Sequence, residues 1–138
     1  MQGLPDAALV QVAAYFQALS EPTRLQILNL LREQERNVGE LAQACGCSAA
    51  NVSRHLSLLT RHGLVLRESR GNSAYFRIAD ASVYQLCDLV CGSVARQLEQ
   101  AASQRAVFAV AAPKRARVRC AAFRSEPERR QRQRHLPL

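Results

Sequence analysis

The sequence predicts a mainly α-helical domain that carries one small β-hairpin, an α+β fold. Two observations support this prediction. Hydrophobic residues recur at helical spacing in four segments that end near residue 63, whereas residues 64–78 follow the pattern of two short strands around a Gly-Asn turn. A longer helical pattern then begins at Asp80 and closes the predicted domain.

The first two helices are expected over residues 7–19 and 21–33. Ser20 precedes the second helix and is predicted to cap it, while Pro22 is tolerated in its first turn. Hydrophobic residues cover more of the second helix than a thin stripe requires, so this helix is predicted to lie at the centre of the core.

Two helices separated by a tight turn are predicted next. Asn37 can cap a short helix that runs to about Ala44, and Gly46 can adopt the left-handed backbone that a tight turn needs. Ser48 is expected to cap the following helix, and Gly63 is expected to end it.

The chain continues with a hairpin and a final helix. Strands are expected over 64–68 and 74–78, joined around Gly71 and Asn72. The final helix is expected over 80–98, and it is rich in hydrophobic residues although little chain remains to cover them. We therefore expect this helix to pack against a second copy of the same chain.

The helix that follows Ser48 predicts the function. Val52, Leu56 and Leu59 form one hydrophobic stripe, and polar residues occupy the other faces. A helix enters the major groove of DNA only when its buried side is held by neighbouring elements, and the order of elements here is that of a winged helix-turn-helix. The alternative is an ordinary amphipathic helix whose polar side faces water. The residues predicted to contact DNA are Ser48, Asn51, Ser53, Arg54, His55, Ser57, Arg61, Arg67, Arg70 and Arg77.

The net charge of +8 is unevenly distributed along the chain. Residues 105–138 hold ten basic residues against two glutamates, whereas residues 1–104 hold nine arginines and nine acidic residues. Within the neutral part, the segment 54–77 has five arginines and one glutamate, which favours an anionic partner. We predict a DNA-binding and dimerisation domain over 1–104 and a basic, disordered tail over 105–138, which either is merely solvated or strengthens non-specific DNA binding.

Three strings resemble the ArsR/SmtB family of bacterial transcription regulators: ALSEPTRLQILNLL at 18–31, VGELAQACGCSAANVSRHLSLLTRHGLV at 38–65 and RGNSAYFRIAD at 70–80. The resemblance spans roughly residues 8–100. It implies homodimers that pair through the first and last helices and bind imperfect palindromes in operator DNA. It also implies a repressor that leaves DNA when a thiophilic metal, a reactive sulfur species or an oxidant arrives.

The sensing sites that this resemblance implies are altered here. One site uses a Cys-x-Cys pair at the start of the helix that precedes the recognition helix, and these positions are Asn37 and Gly39 here. The second helix contains no cysteine to match the family's persulfide sensors. A site in the last helix would use Asp and His ligands, and the matching residues are Asp80, Ser82, Ser93 and Arg96. Only the aspartate fits, so zinc or cobalt binding there is not expected.

Two cysteine pairs remain as candidates for sensing. Cys87 and Cys91 are one helical turn apart and can together bind one soft ion such as arsenite, antimonite, cadmium or mercury, or can be oxidised. Cys45 and Cys47 flank the turn before the recognition helix, and Cys120 lies in the tail. The alternative is that these cysteines are small hydrophobic residues that only fill space.

Other functions are less compatible with the sequence. The longest hydrophobic run, at 106–112, is too short to span a membrane, and the odd number of cysteines, five, favours a reducing, cytoplasmic location over a disulfide framework. A thiol oxidoreductase would need a CxxC motif, which is absent, and no nucleophile-base pair suggests an enzyme. A protein-interaction module that uses the same fold remains a third alternative.

Overall fold

The computed structural model describes residues 1–107. It contains five helices and a small antiparallel sheet, with the strand order β1-β3-β2. The elements are α1 Asp6–Leu19, α2 Pro22–Glu33, β1 Arg36–Asn37, α3 Val38–Cys45, α4 Ala49–Arg61, β2 Val65–Arg70, β3 Ser73–Ile78 and α5 Ser82–Val107. The predicted mainly α-helical fold with a hairpin is confirmed.

The core lies where α2 meets α3, α4 and the sheet. Ile27, Leu28 and Leu31 of α2 are at most 4 % exposed, which confirms that this helix is central. Leu41 from α3 and Phe76 from β3 complete the same hydrophobic cluster. The burial of these aliphatic and aromatic side chains supplies the main driving force for folding and fixes where α4 lies.

Local signals explain the turn that precedes α4. Asn37 and Glu40 form a reciprocal capping box at the start of α3, in which each side chain accepts a hydrogen bond from the other residue's backbone N–H. Gly46 ends α3 with a φ of 65°, a left-handed conformation that side chains with a Cβ rarely adopt. Ser48 then caps α4 by accepting a hydrogen bond from the backbone N–H of Asn51 at 3.1 Å.

Three expectations about the elements are corrected. Glu21, not Ser20, caps α2, because the Glu21 carboxylate accepts from the Arg24 backbone N–H at 2.9 Å while the Ser20 hydroxyl donates back to Gln17 of α1. The two-residue strand β1, which was not expected, pairs with β3. Helix α5 continues to Val107, nine residues beyond the expected end, and so crosses the predicted domain boundary.

Within residues 1–107, no helix is both long enough and hydrophobic enough to cross a bilayer. Residues 108–138, including most of the basic tail and Cys120, lie outside the described residues.

Candidate nucleic-acid interface and cysteine cluster

The inner face of α4 is held by the rest of the chain. Val52, Leu56 and Leu59 are at most 1 % exposed, and α4 packs against α2, α3 and β2. Its Ser48 cap fixes the start of the helix at the turn. The recognition helix is therefore positioned by packing on one side, as the sequence predicted.

The outer face of α4 presents the polar residues that the prediction requires. Ser53, Arg54, Ser57 and Arg61 are all exposed. Ser57 donates a hydrogen bond from its hydroxyl to the Ser53 carbonyl at 2.9 Å, which leaves the oxygen of this hydroxyl able to accept from a ligand. This face carries two guanidinium groups and no carboxylate among residues 49–61, a composition suited to the grooves and phosphates of a nucleic acid.

A groove of about 490 Å³ separates α4 from the sheet. Serine and threonine hydroxyls and two guanidinium groups line it, over a hydrophobic floor that includes Phe76. The polar lining residues are Ser53, Ser57, Thr60, Arg61 and Arg67. Thr60 was missed from the sequence, although its position three residues after Ser57 places it on the same face of the helix. The groove is suited to a phosphodiester backbone, which such donors bind without reading sequence.

Two residues that were predicted on the outer face of α4 lie instead in the protein interior. His55 is 3 % exposed and Asn51 is 9 % exposed, so their expected exposure to DNA is wrong. The physical reason is the width of the buried face, because residues 51 and 55 lie one turn apart beside Val52, Leu56 and Leu59. His55 faces Arg24 and Glu21 from the start of α2 rather than solvent.

The arginines of the hairpin differ in their environments. Arg70 donates to both carboxylate oxygens of Glu35, at 2.6 and 2.8 Å, and to Glu68 at 3.0 Å. The hydrogen bonds from Arg70 lower the pKa of the Glu35 carboxyl. Arg67 is exposed, and its guanidinium contacts the Ser69 hydroxyl at 3.2 Å. Arg77 is exposed on β3. Arg67 and Arg77 are thus better placed than Arg70 to approach a phosphate backbone.

A second cavity of about 500 Å³ lies between α1, α2 and α5. Its lining is mostly hydrophobic, and both Cys87 and Cys91 belong to it. An ion pair at its edge joins Arg32 to Asp88, with N–O 2.8 Å. Burial, helped by Cys91 and Asp88 and opposed by Arg32, raises the pKa of the Cys87 thiol. Cys87 is half-buried and Cys91 is exposed, so the predicted pair reaches from the core side to the surface of α5.

The other cysteines lie elsewhere. Cys45 and Cys47 are half-buried at the turn before α4 and pack against the hydrophobic core. Burial raises the pKa of the Cys45 thiol, which favours a packing role for this residue. In the part of the chain that the structure describes, no three His, Cys, Asp or Glu side chains converge on one point that could hold a metal ion. Cys120 lies outside the described residues.

The chain is similar to known transcription regulators. The family described as "Bacterial regulatory protein, arsR family" matches residues 21–66. The HTH-type transcriptional regulator NmtR of Mycobacterium tuberculosis H37Rv is 40% identical over 85 residues, which cover 62% of this chain and 71% of that protein.

Two further comparisons extend this result. The HTH-type transcriptional repressor SmtB of the same organism is 34% identical over 97 residues, which cover 70% of each protein. A solution NMR structure of the homodimeric winged helix-turn-helix DNA-binding domain of Mb0332 from Mycobacterium bovis matches with a TM-score of 0.62 and 39% identity. The match covers 72% of this chain and 95% of that one.

Proposed function

Because the chain belongs to the ArsR family of bacterial regulatory proteins, we propose that it is a homodimeric repressor released from operator DNA by thiol chemistry at Cys87 and Cys91. Membership in this family makes it a DNA-binding transcription regulator and not an enzyme. The partners are duplex DNA and a second copy of the chain.

The outer face of α4 is the part that reads sequence. Arg54 and Arg61 extend from an exposed helical face, and an arginine side chain is well shaped to donate two hydrogen bonds to guanine. Ser48, Ser53 and Thr60 supply hydroxyl donors to the DNA backbone beside the groove, while the Ser57 oxygen is available as an acceptor. Arg67 and Arg77 supply charge from the hairpin. Asn51 and His55 are no longer assigned to this surface, because they are buried.

The dimer surface is supported by the hydrophobic residues that one chain leaves exposed. On α5, Val90, Val94 and Leu98 recur at intervals of four residues and are 47 to 66% exposed. On α1, Leu9 and Phe16 are 41 and 47% exposed. Hydrophobic residues repeated along two neighbouring helices are typical of a face that a second copy covers.

One observation carries the proposed sensing role: Cys87 and Cys91 line a cavity bounded by α1, α2 and α5. Two of these helices form the proposed dimer surface, and α2 packs against the recognition helix α4. A ligand held by both sulfurs therefore lies between these helices. A small displacement of α5 relative to α2 at this point changes both the dimer surface and the packing of α2 against α4. This location supports regulation at Cys87 and Cys91 over regulation at Cys45 and Cys47.

The chemistry of the pair favours a soft ion. Two thiolates on successive turns of one helix suit arsenite, antimonite, cadmium or mercury, and further ligands would come from solvent or from the second copy. The raised pKa of Cys87 leaves little thiolate for attack on a peroxide, whereas a soft ion displaces the thiol proton as it binds. Cadmium and mercury release one proton for each thiol they bind, so release of DNA by these cations is expected to become more sensitive as the pH rises from 6.5 to 8. Arsenite binds thiols with loss of water and no net proton, so its effect is expected to depend less on pH.

The test is a DNA-release titration with the full-length dimer. The probe is a duplex selected from a random library by the wild-type protein, and the reagents are arsenite, cadmium and a polysulfide. We expect wild type and Cys45→Ser to release DNA in response to the same reagent, while Cys87→Ser and Cys91→Ser stay bound. If wild type stays bound with all three reagents, the cysteines only fill space and the sensing role is wrong.

The basic tail is proposed to strengthen DNA binding without selecting sequence. Its ten basic residues would release counterions from DNA and so steepen the salt dependence of affinity. Because α5 extends to Val107, truncation after this residue keeps α5 and removes nine of the ten basic residues. The truncated protein should show a flatter dependence of affinity on salt and an unchanged preference among DNA sequences. An unchanged salt dependence would contradict this role.

A further inference from the structure

A buried polar cluster joins the end of α1, the start of α2 and the middle of α4. Arg24 is 8% exposed, and its guanidinium donates to the carbonyls of Ala18 at 2.6 Å and Gln17 at 3.1 Å. Both carbonyls belong to the last turn of α1, and the Gln17 carbonyl also accepts from the backbone N–H and the hydroxyl of Ser20. Arg24 therefore caps the C-terminal end of α1 from within the next helix.

The same guanidinium reaches the recognition helix. Arg24 Nη1 lies 3.5 Å from Nδ1 of His55, and the Glu21 carboxylate lies 3.8 Å from the same ring nitrogen. Since a guanidinium has no acceptor, the contact with Arg24 requires Nδ1 of His55 to be the acceptor, as in a neutral imidazole. Through this contact one side chain links α1, a helix of the dimer surface, to the centre of α4.

The position of His55 on α4 makes this link consequential. The residue next to it, Arg54, faces outward with the groups assigned to DNA, whereas His55 points inward to α2. A rotation or displacement of the helix at His55 therefore shifts Arg54 and Ser57 by a comparable amount. Contacts to base edges depend on hydrogen-bond geometry, so a small displacement of this face lowers affinity.

We propose that Arg24 and His55 are positioning residues for DNA binding, which set the orientation of α4 relative to α1 and do not themselves touch DNA. This proposal rests on the DNA contacts assigned to α4, and it holds whichever signal acts at the cysteines. It assigns a function to Arg24, which the DNA surface does not use.

Proton binding by His55 would break this link. Burial and the neighbouring Arg24 charge lower the pKa of His55, while Glu21 acts in the opposite direction. Among the described residues, Arg24 and Glu21 are the charged groups that act on this imidazole. Because the folded pKa lies below the unfolded value of 6.5, the neutral ring contributes stability above pH 6.5, and this contribution is lost as the pH falls towards the folded pKa.

The experiment uses full-length dimers and the duplex that wild type selects from a random library. It measures the affinity for this duplex between pH 5.5 and 8. The removal variants are Arg24→Met and His55→Leu, and the conservative variant is His55→Asn, whose amide oxygen offers an acceptor near the place of Nδ1. We expect a loss of about tenfold at pH 7.5 for each removal variant and no further loss when the two are combined. His55→Asn should keep affinity within about threefold at pH 7.5, and it should not share the weakening that wild type shows as the pH falls towards the lowered folded pKa of His55.

Two controls distinguish a positioning role from direct contact with DNA. Arg54→Ala should lower affinity at every pH and leave the pH dependence unchanged. If Arg54→Ala binds as tightly as wild type, the DNA contacts assigned to α4 are wrong, whereas the contact between Arg24 and His55 is not affected by this result. The NMR titration of the His55 ring should shift to higher pH in Arg24→Met, which removes the neighbouring charge, and should change much less in Arg24→Lys, which keeps it. Additive losses in the double variant, or the same pH dependence in wild type and His55→Asn, would overturn the proposal.

Discussion

The helices α4 and α5 bury their hydrophobic residues to very different extents. Leu56 and Leu59 of α4 are at most 1% exposed, whereas Leu89 and Leu98 of α5 are 73 and 66% exposed. The hydrophobic side of α4 is thus covered by its own chain, whereas in the proposed dimer the hydrophobic side of α5 is covered by a second copy. On this proposal, folding and dimerisation depend on different helices, and both are needed to present two recognition helices to one DNA duplex.

The exposure of α5 increases along its length. Val83 and Tyr84 in its first turns are buried, and the Tyr84 hydroxyl donates to the Leu28 carbonyl at 2.8 Å. The guanidinium of Arg32 lies 4.7 Å from the centre of the Tyr84 ring. Cys87 is half-buried and Cys91 is exposed, so the cysteine pair spans the boundary between the part of α5 that packs on its own chain and the exposed part that belongs to the proposed dimer surface.

The largest effect is expected from a cavity in the buried face of α4. Leu56→Ala removes a side chain that is 1% exposed, and such substitutions cost about 3 kcal/mol of unfolding free energy. Denaturation with urea should show this loss equally at low and high protein concentration. The matched variant Leu98→Ala should leave the unfolding free energy of a dilute sample nearly unchanged. Equal losses of unfolding free energy in Leu56→Ala and Leu98→Ala would contradict the difference in burial between α4 and α5.

A charge among the exposed hydrophobic residues of α5 tests whether this helix forms the dimer surface. Leu98→Asp would place a carboxylate in the proposed dimer surface, and we expect dimer association to weaken by about 2 kcal/mol because the charge must be desolvated. Sedimentation over a range of concentrations measures this change. The neighbouring substitution Glu99→Gln is the control and should leave the dimer intact. If Leu98→Asp associates as strongly as wild type, the dimer interface does not include Leu98 and lies elsewhere on the molecule.

The outer face of α4 should affect affinity without affecting folding. Arg54→Ala is expected to weaken binding to the selected duplex by about 1.5 kcal/mol, roughly tenfold, with the loss concentrated at one or two base positions. Anisotropy titrations with single base changes in the duplex measure it. Arg96→Ala on α5 is the control, since this arginine lies away from the DNA surface. A uniform loss across all sequences would make Arg54 a phosphate contact instead.

The smallest effect is expected at the start of α4. Ser48→Ala removes the acceptor for the Asn51 N–H and should cost about 1 kcal/mol of unfolding free energy. Ser48→Asp keeps an acceptor at the cap and should restore this stability, while its negative charge weakens binding to DNA. Thermal unfolding and affinity measured on the same samples separate the two effects. Loss of stability in both variants would show that the cap is not the relevant interaction.

Sequence patterns predicted the parts of this molecule that depend on local chemistry. The caps at Asn37 and Ser48, the left-handed Gly46 and the hairpin turn at Gly71 each follow from a few neighbouring residues. The hydrophobic stripe of α4 is also local, because helical spacing alone brings Val52, Leu56 and Leu59 to one face. These signals were sufficient to predict the fold and the outward direction of most residues in the DNA surface.

The remaining features depend on contacts between residues far apart in the sequence. His55 was predicted at the DNA surface because histidine is polar, but Arg24, 31 residues earlier, supplies a buried partner. Ser20 and Glu21 are both reasonable caps, and only the approach of α1 decides between them. Strand β1 is too short to produce a pattern, and it exists because β3 offers an unpaired edge.

The pairing of Arg70 with Glu35 changes how the charge of the hairpin should be counted. An arginine already neutralised by two carboxylate oxygens displaces fewer condensed cations when the hairpin meets a duplex. The ionic-strength dependence of this domain should therefore be shallower than its number of arginines suggests. The ion pair also joins the hairpin to the connection after α2, so the tip of the hairpin moves with that connection.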